Sequence, residues 1–180
     1  MLFIDDDMGF NVADIVRMFD WHSHDVVAAM YPCKEIDWTR VKQAVLAHPE
    51  IDPALLPQIA GQYGGMQTFL RAGDTLAGAM DAPMPVGETG TGIMLIARAC
   101  LRHLVQQDIP CAAPNGAADF PIHEFFSQKV IDGRLVGEDF YFCNLVRKHG
   151  GTVYGCAWPD VVHTGTYDFV GSIRSIVSLS

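Results

Sequence analysis

Residues 2–31, LFIDDDMGFNVADIVRMFDWHSHDVVAAMY, decide the fold class. Leu2, Phe3 and Ile4 form a short apolar run that stops at Asp5, Asp6 and Asp7, as a buried strand does when it delivers carboxylates at its C-terminal end. Val12, Ile15, Val16 and Phe19 follow at i, i+3, i+4, i+7 spacing, and Asn11 stands where an N-cap belongs. That predicts one short amphipathic helix with those four residues on its apolar face. Residues 25–31 (DVVAAMY) predict a second buried strand, closed by Pro32. Strand, helix, strand in this order is the sequence form of a parallel α/β unit. In it, residues 1–4 are a central strand, or one that has lost its neighbours.

Working outward, residues 37–48 and 52–63 predict helices, interrupted by Pro49 and Pro53. From 64 to 92 Gly and Pro are frequent and apolar residues come in short runs (66–70 and 84–86), which predicts loops and short antiparallel strands. Residues 93–96 predict a strand leading into a helix through about His103, and 111–120 a loop rich in small residues. The segment 137–151 predicts a helix whose ends match the macrodipole. Glu138 and Asp139 lie in its first turn, Lys148 and His149 in its last, and Gly150-Gly151 stops it. Phe142, Leu145 and Val146 are its buried face. A strand at 152–156, a turn at Trp158-Pro159-Asp160 and the run Val161-Val162-His163 follow. No repeat or linker divides the 180 residues, so one α/β domain over 1–180 is expected.

Hydrophobic residues make up 49% and charged residues 18%, a globular composition. Twelve basic against 21 acidic side chains give a net charge of −9, which excludes a phosphate-tracking nucleic-acid binder. A phosphate ligand stays admissible if a divalent cation stands between it and the protein. Five cysteines (Cys33, Cys100, Cys111, Cys143, Cys156) are an odd number without C-x-x-C spacing, and no signal or membrane-spanning segment is visible. The expectation is therefore a cytoplasmic protein in a reducing compartment, with no structural zinc.

Asp5-Asp6-Asp7 is the first group able to carry chemistry. In an extended segment Asp5 and Asp7 share one face and Asp6 takes the other. Converging carboxylates with no base nearby in sequence repel each other unless a cation intervenes, and hard oxygen ligands suit Mg²⁺ or Mn²⁺. The alternative is a solvated acidic loop. Glu138-Asp139 taken alone reads as helix capping; a functional carboxylate there is a general base. His163 alone reads more readily as a half-buried, hydrogen-bonded histidine than as a ligand, although an imidazole can complete a carboxylate-held Mn²⁺ site. His22 and His24 read as surface residues at a helix end. Gly90-Thr91-Gly92 lacks the Lys that a Walker-type phosphate loop requires.

Three blocks in order, LFIDDDMGF, ETGTGIMLIAR and GRLVGEDFYFCNLVRKHGGTVYGCAWPDVVHTGTYDF, resemble glycosyltransferases of the GT-A fold, the soluble bacterial and phage type. There a D-x-D strand end is followed by G-x-G-x-M-L-I, an E-D-x-x-F-C-x-x-x-R-x-x-G-G helix and an H-x-G turn. The resemblance implies a mixed sheet flanked by helices. It implies that Asp5 and Asp7, with His163, hold Mn²⁺ or Mg²⁺ against the diphosphate of a nucleotide-sugar donor. It makes Asp139, with Glu138 beside it, the base for an acceptor hydroxyl on a glycan or other acceptor. Asp6, Gly90, Thr91 and Gly92 would line the substrate. In that family the nucleotide-binding strands precede the acidic strand, whereas here residues 1–4 alone do. The expectation is thus a GT-A-like domain truncated at its N-terminus, possessing the metal and acceptor side, with an open sheet edge at residues 1–4 that favours a homo-oligomer.

Two rival readings stand beside it. A haloacid-dehalogenase-like phosphatase also ends an apolar strand in D-x-D, with the first Asp as nucleophile. Here Met8 and Gly9 replace the residues usual after those acids. The other rival is a non-catalytic remnant of a transferase fold acting as a binding or assembly module.

Overall fold

The computed structural model describes residues 1–63, 80–113 and 121–173. The run at 66–70 and most of the 111–120 loop lie outside the described residues. The centre is a five-stranded mixed sheet. Its strands are β1 (Leu2–Ile4), β3 (Val26–Ala29), β6 (Met84–Val86), β7 (Ile93–Ile96) and β12 (Val153–Cys156), in the order β1-β7-β3-β12-β6. β7 runs antiparallel to both β1 and β3, β12 is parallel to β3, and β6 is antiparallel to β12. The strand–helix–strand unit read from residues 2–31 is therefore present with a difference: β1 and β3 point the same way, but the antiparallel β7 lies between them. β1 is an edge strand of this sheet among the described residues.

Alternation along the strands builds two cores. Val26, Ala28, Met94, Ile96 and Val153 face one side, where helices α2 (Trp38–Ala47), α3 (Leu56–Ala60), α4 (Arg98–Val105) and α5 (Glu138–Lys148) cover them. Val27, Ala29, Ile93, Leu95 and Cys156 face the other, against α1 (Val12–Met18), Trp158 and Val161. All four residues of β3 and of β7 are buried, as a strand covered on both faces requires. Phe142, Cys143, Leu145 and Val146 form the buried stripe of α5.

Several expectations need correction. α1 is capped by Asn11, whose Oδ1 accepts from Ala13 N at 2.9 Å, but it buries Ile15 and Met18. Val12 and Val16 face outward, 67% and 61% exposed. The helix foreseen at 52–63 is only a 3-10 turn (Pro53–Leu55) and α3. Pro57 sits in the first turn of α3, and the chain then extends into β5 (Gly61–Tyr63), which pairs with β4 (Pro32–Ile36). His24 is half-buried, its ring edge-to-face with Tyr154 at 4.4 Å, rather than a surface residue.

A second, three-stranded sheet, β14-β13-β2, joins the two ends of the chain: β2 (Met8–Phe10) pairs antiparallel with β13 (Val161–His163), and β13 with β14 (Phe169–Gly171). Two more antiparallel pairs complete the strands described, β8 (Cys111–Ala112) with β9 (Ile122–His123) and β10 (Lys129–Ile131) with β11 (Arg134–Val136). The β10–β11 turn carries Asp132 and Gly133 at φ 49° and 75°, the left-handed pair a two-residue hairpin demands. Among the described residues no helix is long and apolar enough to cross a membrane.

Candidate active site

The site lies along the rim where β1 and β3 end. Both strands run toward it, so Asp5, just after β1, and Tyr31, just after β3, emerge at the same edge, the usual place for ligands in α/β sheets. β7 begins there, and Asp5 N donates to Gly92 O at 2.9 Å. The three acids are not extended. Met8 N donates to Asp5 O at 3.2 Å, closing a turn that carries the chain from β1 into β2. Strand alternation therefore does not set the directions of Asp5, Asp6 and Asp7, and Asp6 is exposed at the tip of the turn.

The β2–β13 ladder brings Asp7 to His163. Met8 is opposite His163, and Thr164 N donates to Asp7 O at 2.8 Å. His163 Nε2 then stands 3.5 Å from Asp7 Oδ2. Its Nδ1 lies 2.8 Å from Pro32 O, which can only accept, so Nδ1 carries the ring proton. In the neutral ring Nε2 offers a lone pair to a carboxylate oxygen. In the imidazolium form Nε2–H would donate to Asp7; in the neutral form two acceptors face each other and call for a positive charge. Lys34, on β4, supplies one at the carboxylate: its Nζ donates to Asp7 Oδ2 at 2.5 Å. This bond is the chief reason the Asp7 carboxyl lies below the ordinary aspartate range; burial opposes it and the charges of His163 and Lys34 add to it.

Asp139 occupies a different microenvironment. It lies in the first turn of α5, half-buried, and its Oδ2 accepts from Thr91 N at 3.3 Å. Burial pushes its acid up from the usual value; the Thr91 bond pulls down, and the charges of Glu138 and Asp5 push up again. Asp139, Tyr31, Cys33, Thr89, Gly90 and Phe140 line a pocket of about 160 Å³. The segment 87–92 is fastened to α5 at three points, Arg147 Nη1 to Gly87 O (3.2 Å), Cys143 Sγ to Thr89 O (3.5 Å) and the Thr91 bond itself. Glu138, by contrast, is exposed and meets Gln128 Nε2 at 3.3 Å.

Tyr31 links the two acidic centres, and sequence reasoning missed it. Its ring packs edge-to-face on His163, centroids 5.3 Å apart, and its hydroxyl accepts from Gly92 N at 3.2 Å. Burial, reinforced by the charges of Asp139 and Asp5, pushes the phenol up to about 12, so it keeps its proton. Gly90 and Gly92 are explained by this ring. A Cβ on Gly92 would stand 2.7 Å from Tyr31 Cε1, and one on Gly90 would overlap the Tyr31 hydroxyl. The only sequence signal was the Gly-x-Gly spacing, which marks a close approach without naming what approaches.

The sequence-derived residues thus divide in two. Asp7 and His163 meet; Asp139, Thr91, Gly90 and Gly92 meet around Tyr31, where the charge of Asp5 is also felt. Among the described residues no group of three or more His, Cys, Asp or Glu side chains is arranged to hold a metal ion. The pair Asp7–His163 nevertheless fits a cation. It offers one carboxylate oxygen and one imidazole nitrogen, and the other ring nitrogen is anchored to a backbone carbonyl as in metal-bound histidines. Compared with known protein families, curated proteins and solved structures, the chain matches none.

Proposed function

We propose that the protein is a metal-dependent glycosyltransferase of GT-A type that moves a sugar from a nucleotide-sugar donor to an acceptor hydroxyl. The observation that carries this reading is the meeting of Asp7 and His163 across the chain, 3.5 Å apart and with the His163 tautomer set by Pro32, beside a pocket that desolvates Asp139. Asp7 and His163 would hold Mn²⁺ or Mg²⁺, which supplies Lewis-acid stabilisation for the negative charge growing on a leaving diphosphate. Asp5 sits in the adjoining turn, where its charge raises the basicity of Asp139.

Asp139 is the group to accept the acceptor's proton. A carboxylate whose acid is raised by burial is a stronger base than one in water, and Thr91 N–H holds one of its oxygens in place. As the acceptor oxygen bonds to the anomeric carbon, the bond from that carbon to the diphosphate oxygen breaks and the hydroxyl proton passes to Asp139. Tyr31, protonated and wedged between Asp139 and His163, fixes the spacing of the two centres.

The test is release of nucleoside diphosphate from a panel of nucleotide sugars in Mn²⁺, with simple glycosides as acceptors, for wild type and Asp139→Asn. The variant keeps shape and hydrogen bonding but loses the base, so acceptor-dependent release should fall at least about 100-fold while Mn²⁺ binding stays. Equal rates in both proteins would assign Asp139 to helix capping and remove the catalytic reading.

A further inference from the structure

Lys34 makes the closest polar contact to the candidate cation site and has no part in the reaction as derived so far. It lies on β4, two residues beyond Pro32, whose carbonyl fixes the His163 ring. Its ammonium meets the same Asp7 oxygen, Oδ2, that faces His163 Nε2. Its stem runs past position 165, where a Cβ on Gly165 would stand 3.1 Å from Lys34 Cδ. A carboxylate oxygen that already accepts a lysine proton at 2.5 Å cannot donate fully to a divalent cation as well, and two positive charges against one oxygen repel.

Resting on the proposed function, we propose that Lys34 is an internal counter-cation of Asp7 which a divalent metal ion displaces, and that the displaced ammonium becomes the anchor for the donor's diphosphate. The side chain is 41% exposed, so its head has solvent to swing into while the stem stays on β4. A Lys ammonium is a point charge with three donors, suited to phosphate oxygens. The exchange ties donor binding to metal binding: without the cation Lys34 is spent on Asp7, and with it the lysine is free beside the metal. It also gives an acidic chain of net charge −9 a positive contact for an anionic substrate where it is needed.

Two titrations on wild type, Lys34→Gln and Lys34→Arg test this, with thermal melts to confirm folding. In the first, Mn²⁺ is added alone and followed by calorimetry and by loss of the free-ion electron paramagnetic resonance signal. Lys34→Gln should bind Mn²⁺ about two- to fivefold more tightly than wild type, the range an exposed ion pair is worth, and Lys34→Arg should stay near wild type. In the second, UDP is added to Mn²⁺-saturated protein, and Lys34→Gln should bind it about tenfold more weakly. Mn²⁺ affinity unchanged or lowered in Lys34→Gln overturns the counter-cation role. UDP affinity unchanged, or no UDP binding by Mn²⁺-saturated wild type, overturns the diphosphate role. If wild type and Lys34→Gln both fail to bind Mn²⁺, the metal-dependent function falls, and this inference with it.

Discussion

Gly90→Ala is the sharpest probe of how the site is built. Gly90 does not adopt a left-handed backbone, so an alanine there is penalised by space alone. The added Cβ would overlap the Tyr31 hydroxyl, stand 2.9 Å from Tyr31 Cζ and 3.3 Å from Asp139 Oδ2. Tyr31 cannot retreat cheaply, since its ring packs on His163 and its oxygen holds Gly92 N–H. Forcing one methyl into such a contact costs about 2 kcal/mol, within the range for overpacked sites. For a chain of 180 residues that lowers Tm by about 4–8 °C. Truncating the obstacle should cancel the effect. Tyr31→Ala alone loses packing worth about 3 kcal/mol, but adding Gly90→Ala to it should cost less than about 0.5 kcal/mol, leaving a coupling near 2 kcal/mol. Urea unfolding of the four proteins measures the cycle. A Gly90→Ala cost that is negligible, or that persists undiminished without the Tyr31 ring, would refute the argument that Tyr31 occupies this gap.

Two further outcomes follow from the charges at the site. The Asp139 acid is raised in the folded chain, so folding binds protons that the unfolded chain has released. The penalty is absent below the unfolded value of about 3.8, grows as pH rises through the folded value, and is complete above it. Asp139→Asn should therefore melt above wild type at pH 7, with the gap closing as pH falls to 4; a gap independent of pH contradicts the burial argument. His163→Ala removes both the Nε2 lone pair facing Asp7 and the Pro32 contact. Its Mn²⁺ affinity should drop at least about tenfold in calorimetry, no less than is lost with an outer-shell partner of a metal-bound histidine, and unchanged affinity excludes His163 as a ligand.

The elements legible in the sequence were those with a strong period or an explicit boundary. The α5 helix begins at its acids and ends at Gly150-Gly151, with Phe142, Leu145 and Val146 buried as their spacing required. β3 and β7 read as unbroken apolar runs because both faces are covered. What period cannot give is pairing: that β7 enters between β1 and β3 depends on contacts roughly 65–90 residues apart in sequence. The α1 helix shows the same limit on a smaller scale. Val12, Ile15, Val16 and Phe19 form a valid stripe, but the sheet and Trp158 meet the face of Ile15 and Met18 instead. Trp158 Nε1 donates to Asp14 O at 3.4 Å and Arg17 stacks over its ring, 4.4 Å from the centroid, which holds that rotation.

At the site, residue chemistry was legible and grouping was not. The pairing of Asp7 with His163 rests in the sequence on the GT-A resemblance together with ligand type, and the β2–β13 ladder supplies the physical reason they meet. Asp5 was grouped with Asp7 because alternate residues of a strand share a face; the turn from Asp5 to Met8 removes that premise. Tyr31 and Lys34 escaped for opposite reasons. Tyr31 ends a strand so apolar that its ring reads as core, and its hydroxyl matters only through Gly92 and Asp139, which come from two other elements. Lys34 is one of twelve basic residues in an acidic chain, and nothing local sets it apart. A carboxylate declares itself in sequence by the company of other acids, whereas the cation that answers it need only be near in space. Counter-charges are for that reason the part of a site that sequence conceals longest, and the first place where a structure changes what should be measured.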